Sequence, residues 1–122
     1  GGNGSNGVTI KNFTNSGTIK SDNGQGVNVT SGSTINNFTN NSSGSITASN
    51  NRQQAVSFQN GSSTTTFLNK GTLIGGSNAA SVNLGTNNQN GVTIETFTNS
   101  GIIGNGTSKF GITVWGSSSS KS

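Results

Sequence analysis

Asp22 and Glu95 are the only acidic side chains in the sequence, and there is no His, Cys, Met, Pro or Tyr. With that alphabet no zinc site, disulfide framework, thiol nucleophile or His-based triad can be assembled. One Asp and one Glu are too few for a calcium cage, and they offer a single pairing for acid–base work. The chemistry that pairing could serve is glycoside hydrolysis, which needs two carboxyl groups roughly 5–9.5 Å apart. Asp22 falls in an outer loop near the start of the chain and Glu95 on a strand near its end. The repeat of the chain separates them by three layers, about 14 Å at sheet spacing. Each therefore reads as a single surface charge. No catalytic residue, metal site or cofactor is expected, and the chain reads as a non-enzyme.

The six cations, Lys11, Lys20, Arg52, Lys70, Lys109 and Lys121, give a net charge of +4. They fall at different points of the repeat, and the aromatics point inward rather than between them. Neither a nucleic-acid groove nor a polybasic membrane surface is expected. No apolar run approaches the ~18 residues of a membrane-spanning helix, so membrane insertion is not expected. No signal-peptide pattern opens the chain at Gly1. If the protein is exported, its signal has been removed or lies outside this segment. Glycosylation sequons start at Asn3, Asn12, Asn28, Asn37, Asn40, Asn41, Asn60 and Asn105, a number that chance supplies in such a composition. Trp115, the only Trp, reads as an end cap together with Phe110, which takes the inward phase of Ile112 and Val114. Its alternative role is a platform for stacking a sugar.

What must position these residues is a chain made largely of Asn, Ser, Thr and Gly, which supply 79 of its 122 residues, with 25% hydrophobic and 7% charged. Disordered chains of low hydrophobicity are usually charged or Pro-rich and lack a period. This one has a period. Four segments align: GVTIKNFTN at 7–15, GSTINNFTN at 32–40, GSSTTTFLN at 61–69 and GVTIETFTN at 91–99. Each is followed by a turn ending in Gly17, Gly44, Gly71 or Gly101, and two residues later by Ile19, Ile46, Leu73 or Ile103. After a polar loop of variable length come a small residue (Gly26, Ala55, Ser81, Gly111) and an alternating pair. The pairs are Val27 and Val29, Val56 and Phe58, Val82 and Leu84, Ile112 and Val114.

Each part reads as a short strand bounded by Gly, Asn and Ser turns, and no 3.6-residue apolar stripe supports a helix. Three short strands in every 25–30 residues, repeated in register, predict one coil of a parallel β-solenoid per repeat. Matching positions then form columns up the axis. The predicted inward columns are Ile10/Ile35/Thr64/Ile94, Phe13/Phe38/Phe67/Phe97, the one begun by Ile19, and those begun by Val27 and Val29. The column Asn15/Asn40/Asn69/Asn99 reads as turn residues whose amides bond their neighbours above and below, an asparagine ladder. The outward column Thr9/Thr34/Ser63/Thr93 raises ice binding, but its neighbour Lys11/Asn36/Thr65/Glu95 is neither uniform nor flat. Leu68 also breaks the column Thr14/Thr39/Leu68/Thr98, and Thr on an exposed strand is expected from β propensity alone.

Segments such as FTNSGII at 97–103 and FTNSGTI at 13–19 resemble the repeat-built passenger regions of bacterial autotransporters and related surface adhesins. In size and in Gly/Asn/Ser/Gln content the chain also resembles curli-type fibre subunits, without their fixed spacing of Ser and Gln around Gly. The first resemblance covers roughly residues 7–115. It implies a three-sided, right-handed parallel β-helix, export to the cell surface, and a structural or adhesive role.

The sequence thus predicts an all-β parallel solenoid of about four coils at 7–31, 32–60, 61–90 and 91–115. A flexible or joining head at 1–6 precedes it and a Ser-rich tail at 116–122 follows. The expected function is that of an extracellular bacterial building block of a surface or fibre assembly, whose partner is another copy of itself stacked head to tail. The alternative is an adhesin module that binds glycans or host proteins through the outer loops at 21–25, 47–54, 74–80 and 104–109. Ice binding stands third.

Overall fold

The computed structural model describes residues 7–86, 90–104, 110–115 and 119–120. The expected head at 1–6, most of the last outer loop and all of the tail but two residues lie outside the described residues. Every regular element described is a strand, as expected for β-branched and aromatic residues set between Gly, Asn and Ser turns. Twelve strands come in four sets of three: β1 (Thr9–Asn15), β2 (Thr18–Ser21) and β3 (Val27–Val29); β4 (Thr34–Asn40), β5 (Ser45–Ala48) and β6 (Val56–Phe58); β7 (Ser63–Asn69), β8 (Thr72–Ile74) and β9 (Ala80–Leu84); β10 (Thr93–Asn99), β11 (Ile102–Ile103) and β12 (Phe110–Val114). A two-residue strand, β13 (Ser119–Ser120), follows.

These strands form three parallel sheets: β1-β4-β7-β10-β13, β2-β5-β8-β11 and β3-β6-β9-β12. The chain is a three-sided β-solenoid whose three turns from β1 to β10 stack four layers. Its register is the one read from the repeat. Phe13 pairs with Phe38, Phe38 with Phe67 and Phe67 with Phe97. The Asn, Ile19, Val27 and Val29 columns pair in the same way.

The core is thin and runs the length of the axis. Phe38, Phe67, Ile46, Leu73, Phe58, Val56, Val82 and Leu84 are fully buried in it. The four stacked phenylalanines lie 4.8, 4.6 and 4.5 Å apart between ring centres and within 10° of parallel. The distance between layers of a sheet sets that spacing. Phe58 meets Phe38 and Phe67 edge-on at 6.1 Å, the arrangement that sets a positive ring edge against a negative face.

Strict alternation fails at two corners, and both failures have a physical reason. In β4, residues 35, 38 and 40 are buried while Asn36 and Asn37 are not. The ladder in this sheet also passes directly from position 10/35/64/94 to 12/37/66/96. Two successive residues face outward there because the strand bends around the core. The second corner explains the small column Gly26/Ala55/Ser81/Gly111. A Cβ on Gly26 would stand 2.7 Å from Ile46 Cγ2 and from the Ala55 carbonyl oxygen, so this position turns inward. The register again skips a pair, passing from Phe110–Ala80 to Ile112–Val82.

A fifth column of the first sheet's approach was not anticipated. Val8, Ser33, Ser62 and Val92 precede its four long strands, and Ser33, Ser62 and Val92 are buried. Ser62 Oγ donates to the Val29 carbonyl at 3.1 Å, which satisfies a hydroxyl that would otherwise be costly inside. The outer loops, expected to bulge freely, stack on one another between coils two and three. Gly76 N donates to Gln53 O at 2.9 Å and Asn78 N to Asn51 O at 2.7 Å.

The turn glycines give a direct test of layer contact. A Cβ at Gly71 would collide with the carbonyl oxygens of Gly44 and Asn41 in the coil before it, whereas a Cβ at Gly17 would meet nothing within 4 Å. Gly71→Ala should destabilise the protein by about 2–3 kcal/mol, because overpacking two backbones forces the layers apart. Gly17→Ala should leave the thermal midpoint of the unassociated protein within about a degree of the parent's, as a mild surface change does. Equal midpoints for the two variants would contradict this layer geometry.

Candidate functional site

The ladder residues come together as predicted and form one continuous line. Asn15 Nδ2 donates to Asn40 Oδ1 at 3.0 Å, Asn40 Nδ2 to Asn69 Oδ1 at 2.9 Å, and Asn69 Nδ2 to Asn99 Oδ1 at 2.8 Å. Each amide also holds its own turn: Asn15 donates to Gly17 O, Asn40 to Gly44 O, Asn69 to Gly71 O and Asn99 to Gly101 O. Asn40 and Asn69 are fully buried. Every side-chain bond in the line runs the same way, with the donor in the earlier coil. The line therefore has a polarity, with an amide acceptor at the Asn15 end and an amide donor at the Asn99 end.

The two end coils differ sharply from the middle ones. Among the described residues the exposed large apolar side chains are Val8, Ile10, Ile102, Phe110, Ile112, Val114 and Trp115, and all lie in the first or last coil. Ile10 is 42% exposed although the next member of its column, Ile35, is 3% exposed. Ile112 and Val114 are likewise exposed on top of the fully buried Val82 and Leu84. At the first coil a cavity of about 130 Å³ opens among Val8, Ile10, Phe13, Val27, Val29 and Ile35. At the last coil, β13 pairs with Thr93 and Ile94 of β10, and Ile94 and Phe97 remain buried.

The expected cap residues stand elsewhere. Phe110 pairs with Ala80 across the skipped register position, so it does not share the inward phase of Ile112 and Val114. It lies with Trp115 along a groove of about 300 Å³ on the outer side of the third sheet. The two rings are 50% and 45% exposed. Trp115 Nε1 donates to Asn83 Oδ1 at 2.9 Å, and its backbone N donates to Leu84 O at 2.9 Å. Asn83 also accepts from Thr113 Oγ1 at 2.7 Å and donates to Gly85 O at 2.7 Å. Asn28, Ser57, Asn83 and Thr113 share this outward column. Its mixture of residue types gave no signal in the sequence.

Among the described residues the charged side chains do not assemble. Lys20 Nζ stands 3.9 Å from Asp22 Oδ1 on the open surface, a pair of little energetic consequence. Asp22 lies beyond β2 in the first layer and Glu95 on β10 in the fourth, the separation expected from the repeat. The Thr9/Thr34/Ser63/Thr93 column is in register, and Thr34 Oγ1 and Ser63 Oγ lie 3.1 Å apart. Comparison with protein-family models, with curated proteins and with solved structures found no match to this chain.

Proposed function

We propose that this chain is a non-enzymatic structural protein of the bacterial cell exterior, a solenoid unit that stacks end to end on further copies of itself. The observation that carries this reading is the exposure, among the described residues, of the inward-column side chains Val8 and Ile10 in the first coil and Ile112 and Val114 in the last. Contiguous apolar surface at two opposite ends marks places where another surface is meant to sit. A coil added below the first would bury Val8 and Ile10, and one added above the last would bury Ile112 and Val114. Such a contact joins unlike ends, so it does not close and propagates into a fibre.

The ladder polarity supports the same joint. Asn99 Nδ2 of one copy faces the position that Asn15 Oδ1 of the next would take, which continues the donor-to-acceptor order. A head-to-head joint would oppose like groups. Among the described residues, β13 pairs with the Thr93–Ile94 part of the β10 edge. An incoming β1 pairs along seven residues and displaces that short strand.

Sedimentation velocity and negative-stain electron microscopy at micromolar concentration test the proposal. The expected result is a concentration-dependent series of oligomers and unbranched filaments one solenoid wide. A monomer that stays folded and unassociated across that range would contradict it and assign the two end faces to something other than a second copy.

A further inference from the structure

The groove beside Trp115 has no part in end-to-end stacking, and its chemistry is that of a ligand site. Its volume of about 300 Å³ falls at the lower end of the range for small-molecule sites. Four of the five glutamines in the sequence, Gln25, Gln53, Gln54 and Gln59, line it. They come from the first two coils, Asn83 comes from the third, and the two aromatic rings come from the last. Among the described residues no charged side chain lines the groove.

Each of these features narrows the ligand. Carboxamides both donate and accept hydrogen bonds, which matches a molecule covered in hydroxyl groups. The described lining residues are uncharged carboxamides, hydroxyls and apolar groups, which suits a neutral ligand. Trp115 is held by its bond to Asn83, so its half-exposed face is already in place and little side-chain entropy is lost when something stacks on it. A flat ring bordered by amides is complementary to the C–H face and equatorial hydroxyls of a pyranose. The layers stack at ~4.8 Å, comparable to the repeat of an extended chain of such rings, so a chain laid along the groove meets glutamines from the first two coils at one end and the aromatic rings at the other. An extended peptide fits less well. It pairs along the edge of a single strand, whereas this groove runs across the third sheet, with lining residues from all four coils.

We propose that this groove binds a neutral oligosaccharide, with Trp115 as the stacking platform and Gln25, Gln53 and Gln54 as hydrogen-bonding partners. The inference is independent of the stacking proposal and holds for a monomer or a filament.

The full chain should be titrated with a panel of neutral hexasaccharides (cello-, chito-, manno- and malto-), reading the fluorescence of Trp115, the sole tryptophan. A saturable emission change with at least one of them is expected. By calorimetry, Trp115→Ala should weaken binding of that sugar by roughly ten-fold or more, and Gln54→Ala by several-fold. Lys11→Ala, on the first sheet, should change nothing. Should Trp115→Ala fail to fold, Gln54→Ala and Gln25→Ala carry the test through their own loss of affinity. The proposal is overturned by the absence of a saturable response to every neutral sugar or by affinity unchanged in all the groove variants. Saturation only by polygalacturonate or by an extended peptide would overturn it equally.

Discussion

Phe67→Ala is expected to destabilise the protein by about 3–5 kcal/mol, the range for truncating a fully buried aromatic. Phe67 stacks on Phe38 at 4.6 Å and on Phe97 at 4.5 Å and meets the edge of Phe58 at 6.1 Å. The void would open in the middle of a one-residue-wide column, where the layers are fixed by their ladders and cannot collapse inward. A domain of this size has a total stability of about 5–15 kcal/mol, so the loss is a large fraction of the whole. Phe13→Ala, at the end of the same column with one ring neighbour at 4.8 Å, should lose about 1–2 kcal/mol, because that site is open and already partly wet. Thr93→Ser, facing outward, should be nearly silent. Thermal or denaturant unfolding of the three variants checks the order, and equal effects from inward and outward changes would reject the assigned phase.

The second large effect belongs to the ladder. Asn69→Asp keeps the shape of the side chain and removes its donors. Asn69 Nδ2 serves Asn99 Oδ1 at 2.8 Å, Gly71 O at 3.1 Å and Ile102 O at 3.1 Å. A carboxylate there would face three oxygens with no proton to give, buried and without a counter-charge. The expected loss is about 3–5 kcal/mol, the usual penalty of an uncompensated buried charge. Asn99→Asp should lose about 1 kcal/mol or less, since Asn99 is exposed and, among the described residues, its donor reaches Gly101 O at 3.2 Å. Comparable losses at the two positions would show that burial does not govern the ladder.

Most of the fold could be read from the chain because a solenoid writes its architecture as a period. Once the four Phe–x–Asn segments are aligned, the twelve repeated strands and their register partners follow, for a parallel stack admits only equivalent positions as neighbours. The misreadings occur where the backbone turns a corner. Counting in twos from Ile112 puts Phe110 inward, whereas the register skips position 111 and Phe110 lines the outer groove. The inward column at Val8, Ser33, Ser62 and Val92 stayed hidden because its two middle members are serines, which look like loop residues until their partners are known. The groove was less visible: its glutamines lie in loops of different length, and nothing in the linear sequence shows that they converge on Trp115.

The central claim, that the first coil of one copy seats on the last coil of another, is tested most directly by Gly17→Ala. In the single chain this position has open space below it, whereas its counterparts Gly44, Gly71 and Gly101 each press on backbone or ladder atoms of the coil before them. Only a copy stacked beneath the first coil makes Gly17 equally tight. Sedimentation velocity and electron microscopy of the parent and the variant at matched concentrations, with circular dichroism below the assembly concentration to confirm an unchanged monomer melt, isolate the joint from the fold. The predicted result is filaments for the parent and a folded, unassociated monomer for Gly17→Ala. Filaments of equal length and abundance from both proteins would contradict the stacking geometry.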